Sequence, residues 1–291
     1  MENSINHISD TALWIAAYRA KETKSSHPVI NDQLAEKLAG EKGFEMVATT
    51  PHTESMAFAM IVRTCAIDRL VEIAVSKGID TVINLGAGLD TRPYRMNLPS
   101  GLIWIEVDFK NIIDYKNEIL KAENPCCHLE RISFDLSQDI DRKELFKQLG
   151  NKTKSALIIT EGVIGYLTNQ QAAKLSEDLF SIPPFHYWIQ DYSRGKLRKN
   201  RGTKALQKKL QNVLLQFQVE EPLSFFSRQG WRVSENLLIL DEADRIGKKL
   251  PLFFPWNLLL VIFPKLIRKI GNKTYGYVMY CRQYFQIERT D

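Results

Sequence analysis

The sequence has little cysteine, no long apolar run and no marked excess of one charge, and each shortage excludes a class of protein. Four cysteines, Cys65, Cys126, Cys127 and Cys281, stand in 291 residues with no Cys-x-x-Cys pair. A chain of this length needs no disulfide staples, and the pattern points to a reducing, cytoplasmic compartment. The polar, acid-bearing N-terminus carries only a short apolar patch, which does not make a secretory signal. The one apolar run of note, Leu250 to Pro264, is interrupted by three prolines and falls short of the roughly 20 residues of a spanning helix. The 39 basic and 34 acidic residues leave a formal charge of +5, compatible with an anionic partner but far below the surplus of a nucleic-acid binder. Five scattered histidines, His7, His27, His52, His128 and His186, show neither an HExxH motif nor metal-ligand spacing, so no metal is expected. No GxSxG, phosphate-binding loop, internal repeat or low-complexity tract is present.

What is there reads as an ordinary folded protein, 44% apolar and 25% charged. Apolar residues at helical spacing run from Pro51 to Lys77 (Ala59, Val62, Ala66, Leu70, Ile73) and stop at Lys77-Gly78. Thr81 to Gly88 then has the length of a buried parallel strand. The alternation continues with strand-like 102–109, helical 111–122, strand-like 128–136, helical 141–149 and strand-like 156–160. A helix follows that is opened by the capping box Thr168–Gln171. HYWIQDYS, WRVSENLLIL and YGYVMYCRQ add three strand-like segments, with a helical stretch around 203–218 between them. This order predicts a mostly parallel α/β sheet with helices on both faces, closed by a terminal antiparallel hairpin.

The chemistry-bearing feature is the strand that runs into Gly86-Ala87-Gly88-Leu89-Asp90. Two residues without a Cβ let the backbone turn sharply and approach a ligand closely, although a bare Gly-x-Gly is also simply a tight strand exit. Asp108, at the end of Glu106-Val107-Asp108, lies about 20 residues further on, where a carboxylate can accept from both hydroxyls of a ribose. The third glycine of a dinucleotide fingerprint is replaced by Thr91, followed by Arg92-Pro93, where a pyrophosphate would need a helix N-terminus. A ligand with a ribose and no phosphate fits better, and S-adenosylmethionine is the common one. Asp135-Leu136 then falls where a side chain and an amide can read the adenine rim; Asp135 is otherwise an N-cap.

NLGAGLDTRPYRM, EVD, FDL, TEGVIGYLT and the early TALWIAAYRAKE together resemble the leucine carboxyl methyltransferase family, in particular its bacterial branch, which includes carboxyl methyltransferases acting on polyketides. The resemblance spans nearly the whole chain. It implies a class I methyltransferase fold, Rossmann-like, with a seven-stranded mostly parallel sheet. It also implies a single domain over 1–291, with a core at about 50–191 and 220–291 and a cap from 1–50 and parts of 192–273. Arg63 matches the arginine expected on the methionine carboxylate, for which a fork of donors is suited. Gly86 and Gly88 would pass the methionine portion, Asp108 would hold the ribose, Asp135 and Leu136 would flank the adenine, and Glu161 would line the site near the amino group. The lysine that eukaryotic members carry near the N-terminus has no direct match here, and Arg19 or Lys21 would substitute for it; Arg19 and Tyr166 are the candidate substrate contacts. Tyr166 and the segment around Trp14 to Arg19 are candidates to close over the cofactor.

The implied activity is S-adenosylmethionine-dependent O-methylation, most simply of a carboxylate on a small or lipophilic molecule. A carboxylate is already ionised at neutral pH, so no catalytic base is named; a phenol or alcohol acceptor would want one. That hydroxyl methyltransferase, and a non-catalytic S-adenosylmethionine-binding protein, stand as alternatives. Leu250 to Pro264, flanked by Lys248, Lys249, Lys265, Arg268 and Lys269, reads as a buried segment, a greasy pocket wall or an interfacial membrane contact. The basic run 194–209, without interleaved aromatics, reads as a solvated helix face rather than a nucleic-acid surface.

Overall fold

The computed structural model describes residues 8–50, 54–192, 215–251 and 264–283. Three helices lead in: α1 (Ile8–Thr23), α2 (Ala35–Ala48) and α3 (Glu54–Ser76). Then come β1 (Thr81–Leu85), α4 (Arg92–Arg95), β2 (Ile103–Asp108), α5 (Lys110–Ile119), β3 (His128–Ser133), α6 (Asp139–Asn151) and β4 (Ala156–Thr160). A 3₁₀ turn at Ile164–Tyr166, α7 (Asn169–Phe180) and β5 (Tyr187–Tyr192) follow. The chain is described again through α8 (Pro222–Ser227), β6 (Trp231–Leu238), α9 (Ile239–Arg245), α10 (Pro264–Tyr275) and β7 (Tyr277–Gln283).

The seven strands form one sheet in the order β3-β2-β1-β4-β5-β7-β6. The first five are parallel; β7 pairs antiparallel with both β5 and β6. The expected terminal antiparallel pairing is present, but not as a hairpin: α9 and α10 intervene between β6 and β7, and β7 lies between β5 and β6. Period-two alternation sends successive side chains to opposite faces. Val82, Trp104, Leu157, Ile159 and Val278 join one core with α3 and α9. Ile83, Ile105, Ile158, Trp188 and Met279 join the other with α6, α7 and α8. Because both faces are covered, β1 and β4 are buried at every position, which is why their sequences TVINL and ALIIT are mostly apolar and carry no charge. A third cluster, built on Trp14, Tyr18, Leu38 and Met46, seats α1 and α2 against Ile61, Cys65 and Leu89.

Three expectations change in detail. The third strand stops at Ser133 rather than Leu136, because the Asp135 carboxylate accepts the Ser137 amide at 2.9 Å and closes a turn. The segment WRVSENLLIL leaves the sheet at Leu238, and Ile239 and Leu240 turn inward onto α3 as the start of α9. Residues 215–218, expected to end a helix, are not helical; the rest of that stretch, the basic run 194–209 and nearly all of 250–264 lie outside the described residues. Among the described residues no helix is long and apolar enough to cross a membrane.

Candidate active site

The carboxyl end of β1 opens into the glycine turn. Gly86 and Gly88 hold φ values of +68° and +51°, a left-handed conformation that glycine adopts without steric cost. Gly86 is also needed for space, since a Cβ there would lie 2.5 Å from Cγ2 of Val163 in the turn after β4. The Gly86 and Ala87 amides donate to the Val107 carbonyl, and the Gly88 amide donates to Oδ2 of Asp108 at 2.6 Å. Oδ1 of Asp108 accepts the Phe109 amide at 2.7 Å. The carboxylate is thus fixed against the turn by two backbone donors while each oxygen keeps a lone pair. Burial pushes its pKa up, against the opposing pull of those two amides.

Next to this turn lies a buried network of arginines and carboxylates. Arg63, from α3, donates through Nε to Glu161 and through Nη1 to Asp191, both at 3.0 Å. Arg92, only 1% exposed, donates to Asp68 at 2.7 Å, Asp90 at 2.9 Å and Glu161 at 2.8 Å. Asp68 is also held by Arg95, and Asp90 by the Asn84 amide. Burial alone would raise the Glu161 pKa, yet Arg92 and Arg63 outweigh it and hold the carboxyl below its ordinary value. Burial likewise lowers and the facing Asp191 and Glu161 raise Arg63, with the raising effect winning.

The structure brings the sequence-predicted residues into two touching groups. Gly86, Gly88 and Asp108 form the turn; Arg63 and Glu161 meet each other directly. Asp135 and Leu136 sit half-buried in the turn after β3, and the Leu136 carbonyl accepts from Arg142. Arg19 is enclosed: its Nε donates to Asp32 at 2.8 Å and its Nη2 to the Leu89 carbonyl at 2.5 Å, so it fastens α1 to the glycine turn. Lys21 is exposed. Tyr166 ends the 3₁₀ turn with its hydroxyl bonded to Thr11 of α1, and burial pushes its phenol up. On the same helix, Ala12 stands where a Cβ added at Gly88 would touch it, and Trp14 is buried in the α1–α2 core. Glu106, beside Asp108 in the motif, serves a different purpose: fully buried, it takes Lys116 and Arg131 at 2.8 Å each.

Two further site residues, Asp191 and Arg92, escape sequence reasoning. Asp191 has one signal, an acid near the carboxyl end of a buried strand; its Oδ1 accepts the Gly162 amide at 2.6 Å. Arg92 reads in the sequence only as an obstacle to a pyrophosphate. Among the described residues no group of three or more His, Cys, Asp or Glu side chains is arranged to hold a metal ion.

The match to known proteins runs through this same region. The family model for leucine carboxyl methyltransferase covers residues 12–180, from α1 through the glycine turn, Asp108 and Glu161 to the end of α7. The chain belongs to the leucine carboxyl methyltransferase family. A Mycobacteroides abscessus protein named as an S-adenosyl-L-methionine-dependent methyltransferase is 24% identical over 271 residues, 85% of this chain and 90% of that one. A Frankia alni protein of the same name is 27% identical over 82% of this chain and 87% of its own length. The fold is shared with a DUF574-family crystal structure from Streptomyces avermitilis, at a TM-score of 0.60, 12% identity and coverage of 94% and 97%. This leucine carboxyl methyltransferase family member is an S-adenosylmethionine-dependent methyltransferase on the class I α/β fold, as the sequence led us to expect.

Proposed function

We propose that the protein methylates a carboxylate of a small, lipophilic acid, giving its methyl ester. The observation that carries this reading is that the carboxylates facing α3 at the carboxyl end of the sheet are committed to arginines, while Asp108 is held by two backbone amides and assigned to the ribose. Glu161 and Asp191 both face Arg63, Glu161 also faces Arg92, and its pKa is held down. Glu161 is therefore a poor proton acceptor, and the Tyr166 phenol, pushed up by burial, stays protonated at neutral pH. A hydroxyl acceptor would want a general base near neutrality; a carboxylate arrives already ionised and wants none.

The residues present suit the cofactor. Asp108 keeps a lone pair on each oxygen for a ribose diol, and Arg63, after meeting Glu161 and Asp191, keeps one N–H on each terminal nitrogen for the methionine carboxylate. Glu161 would accept from the amino group, Gly86 and Gly88 would let the backbone pass close, and Asp135 with Leu136 would flank the adenine. S-adenosylmethionine supplies an electrophilic methyl group on a sulfonium. The chain's own task is to hold the acceptor oxygen in line with it at near-attack distance. Helix α1, joined to Tyr166 through Thr11 and to the glycine turn through Arg19, would act as the lid that excludes water. The four cysteines, free in the structure, suit a cytoplasmic setting.

Calorimetric titration with S-adenosylmethionine and S-adenosylhomocysteine, with NAD as control, tests the cofactor site: micromolar binding of the first two alone is expected. Turnover of carboxylic acids against phenols of similar size then tests the acceptor. Methylation of phenols with carboxylic acids left untouched would overturn the carboxylate reading.

A further inference from the structure

Beyond β5, where the sheet becomes antiparallel, lies a groove of about 530 Å³. Its apolar floor is Leu223 of α8, Leu238 at the end of β6 and Tyr277 at the start of β7. Its wall is α10, which presents Lys265, Arg268 and Lys269 at positions i, i+3 and i+4 of one helical face. Arg268 is already neutralised, donating to Asp244 and Asp241 at 2.5 Å each. Lys265 and Lys269 are exposed and meet no carboxylate among the described residues. Glu221 is the one acid on the described lining, so the two ammonium groups outnumber it.

The strand register fixes where this groove stands. Tyr277 pairs with Leu238 on one side and with Tyr192 on the other, and Tyr192 follows Asp191, the partner of Arg63. Two strand spacings near 4.8 Å separate Leu238 from β5, so the groove stands on the order of 10 Å along the same end of the sheet, with its floor on the face covered by α8 and the Arg63–Asp191 pair on the face covered by α3. That is too far for the lysines to hold the oxygen being methylated. An ion pair to that oxygen would also be lost on esterification. The charge they suit is a different one, which the product retains.

We propose that the groove holds the far end of the methyl acceptor and that this end carries a second anionic group, recognised by Lys265 and Lys269. The acceptor class is then an amphiphilic diacid, with its apolar body on Leu223, Leu238 and Tyr277. One carboxylate oxygen forms the new C–O bond as the S–CH3 bond breaks, the sulfonium keeps the electron pair as a thioether, and the product is a half-ester. This rests on the carboxylate reading given above.

The test compares dodecanedioate with dodecanoate, equal in length and differing by one acid group. Binding of each is titrated into protein saturated with S-adenosylhomocysteine, and kcat and KM are measured with S-adenosylmethionine. The wild type is expected to favour the diacid by about tenfold in Kd and KM, the contribution of a charge-assisted contact. The double variant Lys265→Gln/Lys269→Gln should lose that preference, its Kd and KM for the diacid rising to those for dodecanoate. Both lysines are exposed, so the fold is not at stake. Equal affinity for the two acids in the wild type, no binding of the diacid, or a preference that survives in the double variant overturns the proposal. Each of these outcomes, read with S-adenosylhomocysteine bound, is distinct from a failure of cofactor binding, which would overturn the underlying site instead.

Discussion

The two ends of strand β1 solve the same problem in opposite ways. At its amino end Asp80 sits among neutral donors: the Thr153 hydroxyl at 2.5 Å, the Thr81 hydroxyl at 2.9 Å and the Lys154 amide at 3.0 Å. At its carboxyl end the carboxylates of Asp32, Asp68, Asp90, Glu161 and Asp191 are matched instead by Arg19, Arg63, Arg92 and Arg95. Hydroxyls and amides suffice to tie a loop to a strand near water. Burying that many charges costs several kcal/mol of desolvation per ion, and for stability alone an apolar cluster would serve as well. Their concentration at the end bearing the glycine turn is therefore better explained by chemistry than by folding.

The largest effect should come from breaking the charged end. Arg92→Ala removes one partner from three largely buried carboxylates at once and should cost about 4 kcal/mol in chemical denaturation, as removing one partner of a buried pair does. Arg92→Lys should recover only part, since a single ammonium cannot span three acceptors. A loss below about 1 kcal/mol would put the network on a level with surface ion pairs and dissolve the contrast.

The glycines at the two ends come next. Gly78, before β1, has φ of +86° and open space around it, whereas Gly86, after β1, has positive φ and Val163 pressed against it. Gly78→Ala should cost about 1–2 kcal/mol, the backbone penalty alone. Gly86→Ala adds a clash and should cost about 3 kcal/mol as well as abolishing S-adenosylmethionine binding. Equal losses in the two variants, with binding retained in both, would make the second glycine turn as ordinary as the first.

The ligand should separate the two aspartates. Asp108→Ala is expected to weaken S-adenosylmethionine binding by about 2 kcal/mol, as the loss of hydrogen bonds to a charged group does. Asp80→Ala should leave that affinity unchanged. Because burial raises the Asp108 pKa, cofactor binding should begin to weaken, as the pH is lowered through the acid range, sooner than with a carboxyl of ordinary pKa. A binding curve flat through that range would remove Asp108 from the ribose.

How much of this was legible beforehand depends on the range of the interaction. β1, β4 and the Thr168–Gln171 box emerged at their expected places because burial on two faces and a local cap are written in adjacent residues. The glycine turn was legible because only glycine suits its backbone. The arginine network was not, since Arg63 meets partners 98 and 128 positions away, and no spacing rule connects them. The family resemblance made Arg63 and Glu161 separate contacts of one ligand; the direct pairing of Arg63 with Glu161 and with Asp191 belongs to the fold. Arg19 shows the same limit, as nothing local indicates that its guanidinium turns inward to Asp32 and Leu89.

The smallest effect, and the one that isolates the amino end, concerns Asp80 itself. Burial would raise its pKa, but the Thr153 hydroxyl, the Lys154 amide, the Thr81 hydroxyl and the Ser155 amide together hold it below the ordinary value. A carboxyl with a lowered folded pKa stabilises the fold when ionised in both states. That contribution is complete above the unfolded pKa of about 4 and is lost as the pH falls through the lower folded value. Asp80→Ala should therefore cost about 1 kcal/mol at neutral pH, because Asp80 is only half-buried and water replaces part of what it gives up. The difference from wild type should shrink steadily below pH about 4. Denaturant midpoints of the two proteins across that window check it. A gap that stayed constant with pH would mean that Asp80 acts through packing rather than charge, and the two ends of β1 would then differ in degree rather than in kind.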